Sequence, residues 1–175
     1  MSSTRRFRPC HLFRINPVNL DTLTETYNLN FYFQYMLRWP EFQQVVTAPD
    51  ATIMAYVIGK TEGEGNLWHG HVSAVTVAPE YRRLGLASKL MTFTETLSQD
   101  TYNAFFVDLF VRKSNSLAIA MYKQMGYIVY RTILNYYGGS EDAYDMRKAL
   151  TRDQEKKSMI PLAHPVKAHD FLISM

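Results

Sequence analysis

One stretch restricts the folds open to this chain more than any other. Val75, Thr76 and Val77 form a β-branched run and Pro79 stops it. Arg82, Arg83 and Gly85 follow, and then Leu86, Leu90, Phe93 and Leu97 recur at helical spacing. A strand that runs through a short turn into an amphipathic helix argues for a mixed α/β architecture. Gly85 and Ala87 are small enough to let the backbone come close to a ligand. The unpaired amides of a helix start, with the positive end of its dipole, favour phosphate oxygens. Residues 82–88 therefore read as a phosphate cradle. On the local pattern alone, a plain strand-to-helix connection with surface arginines fits equally well.

The rest of the chain fills in around this unit. Residues 3–7 suit a short first strand. Residues 19–39 read as helical, with Leu20, Leu23 and Tyr27 at three- and four-residue spacing and Asn19 or Asp21 placed to cap the start. A break at residues 28–30 divides this region into two helices, and Pro40 ends it. Three strands are expected over 43–47, 52–60 and 68–77, with a polar, glycine-rich hairpin loop at 61–67. A helix over 85–99 precedes a nearly all-apolar strand over 104–111, as suits a central strand covered on both faces. A helix over 116–125 follows, with Asn115 as its cap and Gly126 at its left-handed end. Strands over 127–136 and 143–148 flank the Gly138-Gly139 turn. The expected fold is thus α+β, a mixed sheet of about seven strands with about four helices. One domain spans 1–150, and 151–175 reads as an extended tail.

Composition narrows the function classes. With 175 residues the chain can bury a usable core. A formal net charge of +3, with no long basic run, is too small to argue for nucleic acid. Cys10 is the single cysteine, so an internal disulfide is impossible and a reducing compartment fits. Residues 1–8 lack an apolar signal core, and the apolar runs are strand-sized rather than membrane-spanning. Twelve tyrosines and ten phenylalanines suggest a cleft or a surface that meets a partner.

Two nucleotide-binding patterns fail. Gly59-Lys60-Thr61 has Met54 where a P-loop needs its first glycine, and it leads into a hairpin loop. No Gly-x-Gly-x-x-Gly is present. Arg82-Arg83-Leu84-Gly85-Leu86-Ala87 instead resembles the acetyl-CoA signature of the GNAT acetyltransferases. Asn115, Ala118, Tyr122, Gly126 and Tyr127 resemble that family's second motif. Leu23–Tyr27, Trp68–Val72, Tyr136-Tyr137, Asp145–Leu150 and Glu155–Ser158 narrow the resemblance to the catalytic subunits of N-terminal acetyltransferase B complexes, over roughly Arg5 to Val166. The loop between Thr61 and Trp68 departs from the family in being short.

The resemblance implies acetyl-CoA as cofactor, with the diphosphate on the amides of Arg83 to Ser88 and Arg82 beside them. It also implies that the pantetheine arm lies between strands ending near Val77 and Val111, with Asn115 and Tyr122 touching it. The implied reaction is direct acetyl transfer, in a ternary complex, to the α-amine of an initiator methionine followed by Asp, Glu, Asn or Gln. Cys10 lies far in sequence from the cradle, so an acetyl-cysteine intermediate is disfavoured. An α-amine has a pKa of about 7.7–8.0 against about 10.4 for lysine, so about a tenth of it is unprotonated near neutral pH. A weak base or a water then suffices, and Glu25, Tyr137 and water stand open for that role. Tyr122 is implied as the general acid that protonates the departing thiolate.

Around the substrate, the resemblance implies that Tyr136 and Tyr137 cover the peptide terminus and that Tyr27 and Phe110 line the methionine slot. His71, with Ser73, meets the polar second side chain. His69 and His71 share a strand face and by themselves suggest a metal. No third ligand stands at a diagnostic spacing and acyl transfer needs none, so none is expected. The family works as a heterodimer with a large ribosome-anchoring subunit in the cytoplasm. The aromatic crowd Phe31, Tyr32, Phe33, Tyr35 and Trp39 is the expected docking surface. Two other readings compete: an acetyltransferase of the same fold aimed at lysine or a small amine, and a non-catalytic acyl-CoA-binding subunit.

Overall fold

The computed structural model describes residues 2–22, 24–138 and 140–168. Eight strands are present among them: β1 Ser3–Arg6, β2 Gln44–Thr47, β3 Ile53–Glu62, β4 His69–Val77, β5 Phe106–Arg112, β6 Ile128–Tyr137, β7 Glu141–Ala149 and β8 Val166–Lys167. Five helices accompany them: α1 Pro9–Leu12, α2 Asn16–Asn19, α3 Leu29–Arg38, α4 Leu86–Asp100 and α5 Ser116–Gln124. The strands hydrogen-bond into one mixed sheet in the order β1-β2-β3-β4-β5-β7-β6-β8. None of the described helices is long and apolar enough to cross a membrane.

The chain divides into two compact units. One holds the residues through Lys60 together with Val72–Leu97; the other holds Thr61–His71 and the chain from Ser98 onward. In the first, β1 pairs antiparallel with β2, and β2 with β3. Phe7, Val18, Tyr32, Val45, Ile53, Tyr56 and Ile58 make its core, with Tyr27, Phe31 and Tyr35 packed on the edge. The buried Gln43 side chain bonds the carbonyls of Trp39 and Gly59 and accepts from the Gly59 amide, so no polar atom of that amide is stranded.

In the second unit β7 lies antiparallel between β5 and β6. Beyond β7 the Asp153 carboxylate accepts from the amides of Lys157 and Ser158. The chain then returns as β8, parallel to β6 at Ile133 and Leu134. This is the strand beyond the expected seven.

Among the described residues, the helix predicted over 19–27 does not form. Pro17, whose fixed φ suits a first turn, starts a short α2 that ends at Asn19. Thr22, Thr24 and Thr26 follow in a stretch where β-branching and side-chain hydrogen bonding both disfavour helix. Thr24 instead bonds the Thr76 hydroxyl at 2.8 Å, and the Tyr27 hydroxyl donates to the Ser73 carbonyl at 2.8 Å. Helix resumes only at α3, where the Asn28 side chain accepts from the Phe31 amide. Leu23 lies outside the described residues.

Candidate active site

In the first unit, β4 ends at Val77 and leads through a 3-10 turn at Pro79–Tyr81 into the segment before α4. Arg83 and Gly85 both have left-handed backbone, with φ of 67° and 74°. They coil the chain on either side of the exposed Leu84. Only Gly85 takes that conformation without a Cβ penalty. A Cβ placed there would meet no atom of the chain within 4 Å. The turn therefore faces open space, and a group as bulky as a diphosphate has room.

Leu86 anchors the first turn of α4 by burial, together with Leu90 and Met91. Lys89 donates to the Gly85 carbonyl at 3.0 Å, so the amides of Leu86, Ala87 and Ser88 precede the intrahelical ladder. The donor set thus fits a phosphate. The Arg82 guanidinium is committed elsewhere: it pairs with Asp21 at 2.7 Å and pins the segment between α2 and α3.

The same unit carries three candidate substrate residues. Glu25 is half-buried in that extended segment, not on a helix. The Tyr27 ring stacks on Phe31 at 4.0 Å. The Ser73 hydroxyl donates to the Tyr35 hydroxyl at 2.9 Å, which makes Tyr35 a neighbour that sequence reading overlooked.

In the second unit, α5 is closed at both ends by local signals. The Asn115 side chain accepts from the Ala118 amide at 3.1 Å. At the other end Gly126, with φ of 92°, makes the left-handed exit. The Tyr127 amide closes on the Tyr122 carbonyl and the Gly126 amide on that of Lys123, a Schellman arrangement. Tyr122 is buried, with its ring edge-on to Tyr127 at 5.9 Å. Burial pushes its phenol far above the ordinary tyrosine range. It keeps its proton at neutral pH and meets an anion as an O–H donor, never as a base.

The other aromatic candidates of this unit form one continuous row. His71 packs against Phe110 at 5.0 Å, Phe110 against Tyr136 at 5.3 Å, and Tyr136 against Tyr137 at 5.0 Å. Neighbours on a regular strand point to opposite faces. Here Asn135 takes a left-handed φ of 54° at an irregular stretch of the β6–β7 pairing, and Asp142 accepts from its amide. That irregularity turns both tyrosine rings into contact. The Arg112 guanidinium covers the Tyr137 ring at 4.2 Å and also binds Glu141 at 2.8 Å.

Beneath the row lies a cluster that sequence spacing did not reveal. Asp108 on β5 sits buried with Oδ1 2.7 Å from His71 Nδ1 and Oδ2 3.4 Å from His69 Nε2. Glu62 on β3 comes within 3.8 Å of both rings. One nitrogen or oxygen from each of Glu62, His69 and His71 lies within 4.8 Å of the other two. Glu62 is thus the third acid–base group that no motif spacing supplied. Hydrogen bonds already engage these imidazoles: His69 Nδ1 meets the Leu67 carbonyl and His71 Nδ1 meets Asp108.

Burial alone would raise the Asp108 carboxyl. The charges of His69 and His71, the His71 hydrogen bond and the charge of Arg147 outweigh it and hold the group well below the usual carboxylate range. For His69, burial opposes charging, yet Asp108, Glu62 and the Leu67 carbonyl raise its pKa. The signal for Asp108 was visible: a lone carboxylate inside the apolar run 104–111 needs a buried partner.

Known proteins place this geometry. The Acetyltransferase (GNAT) family model matches residues 11–127. The Arabidopsis thaliana N-terminal acetyltransferase B complex catalytic subunit NAA20 is 55% identical over 166 residues, covering 95% of this chain and 95% of its own. The crystal structure of Chaetomium thermophilum Naa20 in complex with a bisubstrate analogue has a TM-score of 0.89 at 43% identity, over 95% of this chain and 97% of that one. The NatB acetyltransferase complex bound to CoA and MES contains a chain with a TM-score of 0.78 at 43% identity, over 85% of this chain and 99% of that one. The family match runs through the Arg82–Ser88 turn and on to Tyr122 and Gly126, and the chain therefore belongs to the acetyltransferase (GNAT) family.

Proposed function

We propose that this chain is the catalytic subunit of an N-terminal acetyltransferase of the B type. It moves the acetyl group of acetyl-CoA onto the α-amine of an initiator methionine followed by Asp, Glu, Asn or Gln. Relatives are named as catalytic subunits of N-terminal acetyltransferase B complexes, and the chain's own residues supply the chemistry. Acetyl-CoA, when bound, supplies the acetyl group as an activated thioester. The amides of Arg83 to Ser88 bind its diphosphate, with Val77 and Asn115 as further contacts. Tyr122 keeps a proton at its phenolic oxygen for the departing sulfur. Glu25, Tyr137 or an ordered water takes the proton of the substrate ammonium, a light task for an α-amine.

The row from His71 through Phe110 and Tyr136 to Tyr137 carries the substrate assignment. It offers an apolar surface for methionine, and at its end an imidazole for a polar second side chain. A carboxylate or carboxamide finds a hydrogen-bonding partner there.

The reading extends to assembly. Leu29, Phe33 and Leu37 stand four residues apart on α3 and share one exposed face, with Leu37 at 83% exposure. Tyr32 faces the core instead, and Phe31 and Tyr35 pack at its edge. Such an apolar face marks an interaction surface, and it suits the large auxiliary subunit of a heterodimer. That subunit carries the pair to nascent chains at cytoplasmic ribosomes.

The test is acetylation of peptides that differ only at the second residue, by the chain with and without its large partner. Met-Asp, Met-Glu, Met-Asn and Met-Gln peptides react more than about a hundredfold faster than Met-Lys. Equal rates for Met-Asp and Met-Lys overturn the assignment.

A further inference from the structure

Spacing along the chain offers His69 and His71 on one face of β4 and no further metal ligand. The fold supplies two more. Glu62 at the end of β3 and Asp108 on β5 belong to the same unit, and their carboxylates meet the two rings. His69 Nε2 stands 3.4 Å from Asp108 Oδ2 and 3.7 Å from Glu62 Oε1. His71 Nδ1 stands 3.8 Å from the same Glu62 oxygen. These gaps exceed the roughly 2.9 Å of an N–H···O bond. They are near the edge of a zinc tetrahedron, about 3.3–3.5 Å for metal–ligand bonds of about 2.0–2.1 Å.

The backbone around His69 is built as it is around a ligand histidine. Nδ1 of that ring meets the Leu67 carbonyl at 2.5 Å. A carbonyl only accepts, so Nδ1 carries a proton, and in the neutral ring the Nε2 lone pair points toward the two carboxylates. Acceptors that face one another in this way call for a cation between them. Gly63 makes the contact possible. Its φ is 89°, and a Cβ there would stand 2.1 Å from the Leu67 carbonyl oxygen, so the hairpin loop closes this tightly only with glycine.

We propose that Glu62, His69, His71 and Asp108 bind one zinc-class divalent cation that ties β3, β4 and β5 together. Two imidazoles favour such a metal over magnesium or calcium, which take oxygen ligands. Charge agrees, because one dication balances two carboxylates while both rings stay neutral. Without it, balancing them takes two charged rings side by side. Arg147 lies opposite Asp108 in the β5–β7 pairing, and Asp145 holds its guanidinium at 3.3 Å. When the metal binds, the proton on the 2.7 Å contact between His71 Nδ1 and Asp108 leaves to solvent. A small turn of the carboxylate then opens that contact to ligand spacing. Acetyl transfer needs no metal, so this site goes beyond the acetyltransferase reading.

The experiment uses the full chain, stripped of metal with a chelator. Calorimetry with Zn2+ gives one equivalent bound at this site, and excess Mg2+ does not displace it. Co2+ at the same site gives the visible absorption of a four-coordinate ion. The melting temperature rises by about 5 °C or more when free Zn2+ is about a hundredfold above its Kd. Glu62→Gln and His69→Gln each weaken binding by about a hundredfold or more, and both lose the four-coordinate spectrum. Cys10, exposed beside His11, is the other place where zinc could settle, so Cys10→Ser must leave binding intact.

The inference is overturned if the wild type gives neither heat nor the cobalt spectrum. It is overturned equally if binding survives both Glu62→Gln and His69→Gln, or disappears with Cys10→Ser. If either ligand variant fails to fold, the other decides; if both fail, the wild-type cobalt spectrum and Cys10→Ser decide. No peptide or CoA enters the measurement, so its failure and the failure of the substrate assignment are separate results.

Discussion

At the scale of single residues, burial sets the chemistry of Tyr122 and Asp108 in opposite senses. Tyr122 has no charged partner among the causes acting on it, so desolvation alone raises its pKa and fixes it as a proton holder. Asp108 is as deeply buried, but two imidazoles and Arg147 reverse the outcome and fix it as an acceptor. We expect Tyr122→Phe to lower kcat by about a hundredfold, the usual worth of a placed acid. Peptide KM and CoA affinity should stay within about twofold, since the ring and its packing remain. A kcat within threefold of wild type in steady-state assays would remove the phenol from the mechanism. Tyr122 was legible because it stands at a fixed distance from its cap and its glycine. The role of Asp108 was not, because nothing near it in sequence names its partner.

Elements form where neighbours in sequence agree. The turn into α4 needs a left-handed residue beside open space, and Gly85 supplies both. Gly85→Ala should cost about 1–2 kcal/mol in stability from the left-handed backbone. It should also weaken CoA by tenfold or more, because the added methyl enters the space the diphosphate needs. Thermal melting and calorimetric titration separate the two effects. Unchanged CoA affinity would argue that this turn holds no phosphate. The helix at 116–125 and its cap were readable for the same local reason. The helix expected at 19–27 was not realised because its apolar spacing competed with a threonine-rich run. The Thr24 hydroxyl of that run bonds across to β4 instead. Periodicity reports which residues seek burial, and it does not report which partner strand waits for them.

At the scale of the whole molecule, we expect the exposed face of α3 to govern assembly. Leu29, Phe33 and Leu37 are too large and too exposed to sit comfortably in water as a group. Leu37→Glu should lower affinity for the co-expressed large subunit by tenfold or more, as expected for an apolar anchor at an interface centre. CoA binding by the isolated chain should be untouched. Co-purification and a CoA titration test the two halves, and an intact complex would move the docking surface elsewhere.

The sequence by itself determined the strand–turn–helix that begins at Val75, the capped helix of Tyr122, and the mixed α/β class. Caps, left-handed glycines and hydrophobic periods act over a few residues, and a chain shows them without folding. Only the tertiary structure decided that β3, β4 and β5 bring Glu62, His69, His71 and Asp108 together, the last two 37 residues apart. It also decided that an irregular β6 turns Tyr136 and Tyr137 into one row, and that the C-terminal region adds β8. Contacts across a sheet depend on register and strand order, and no local spacing encodes either.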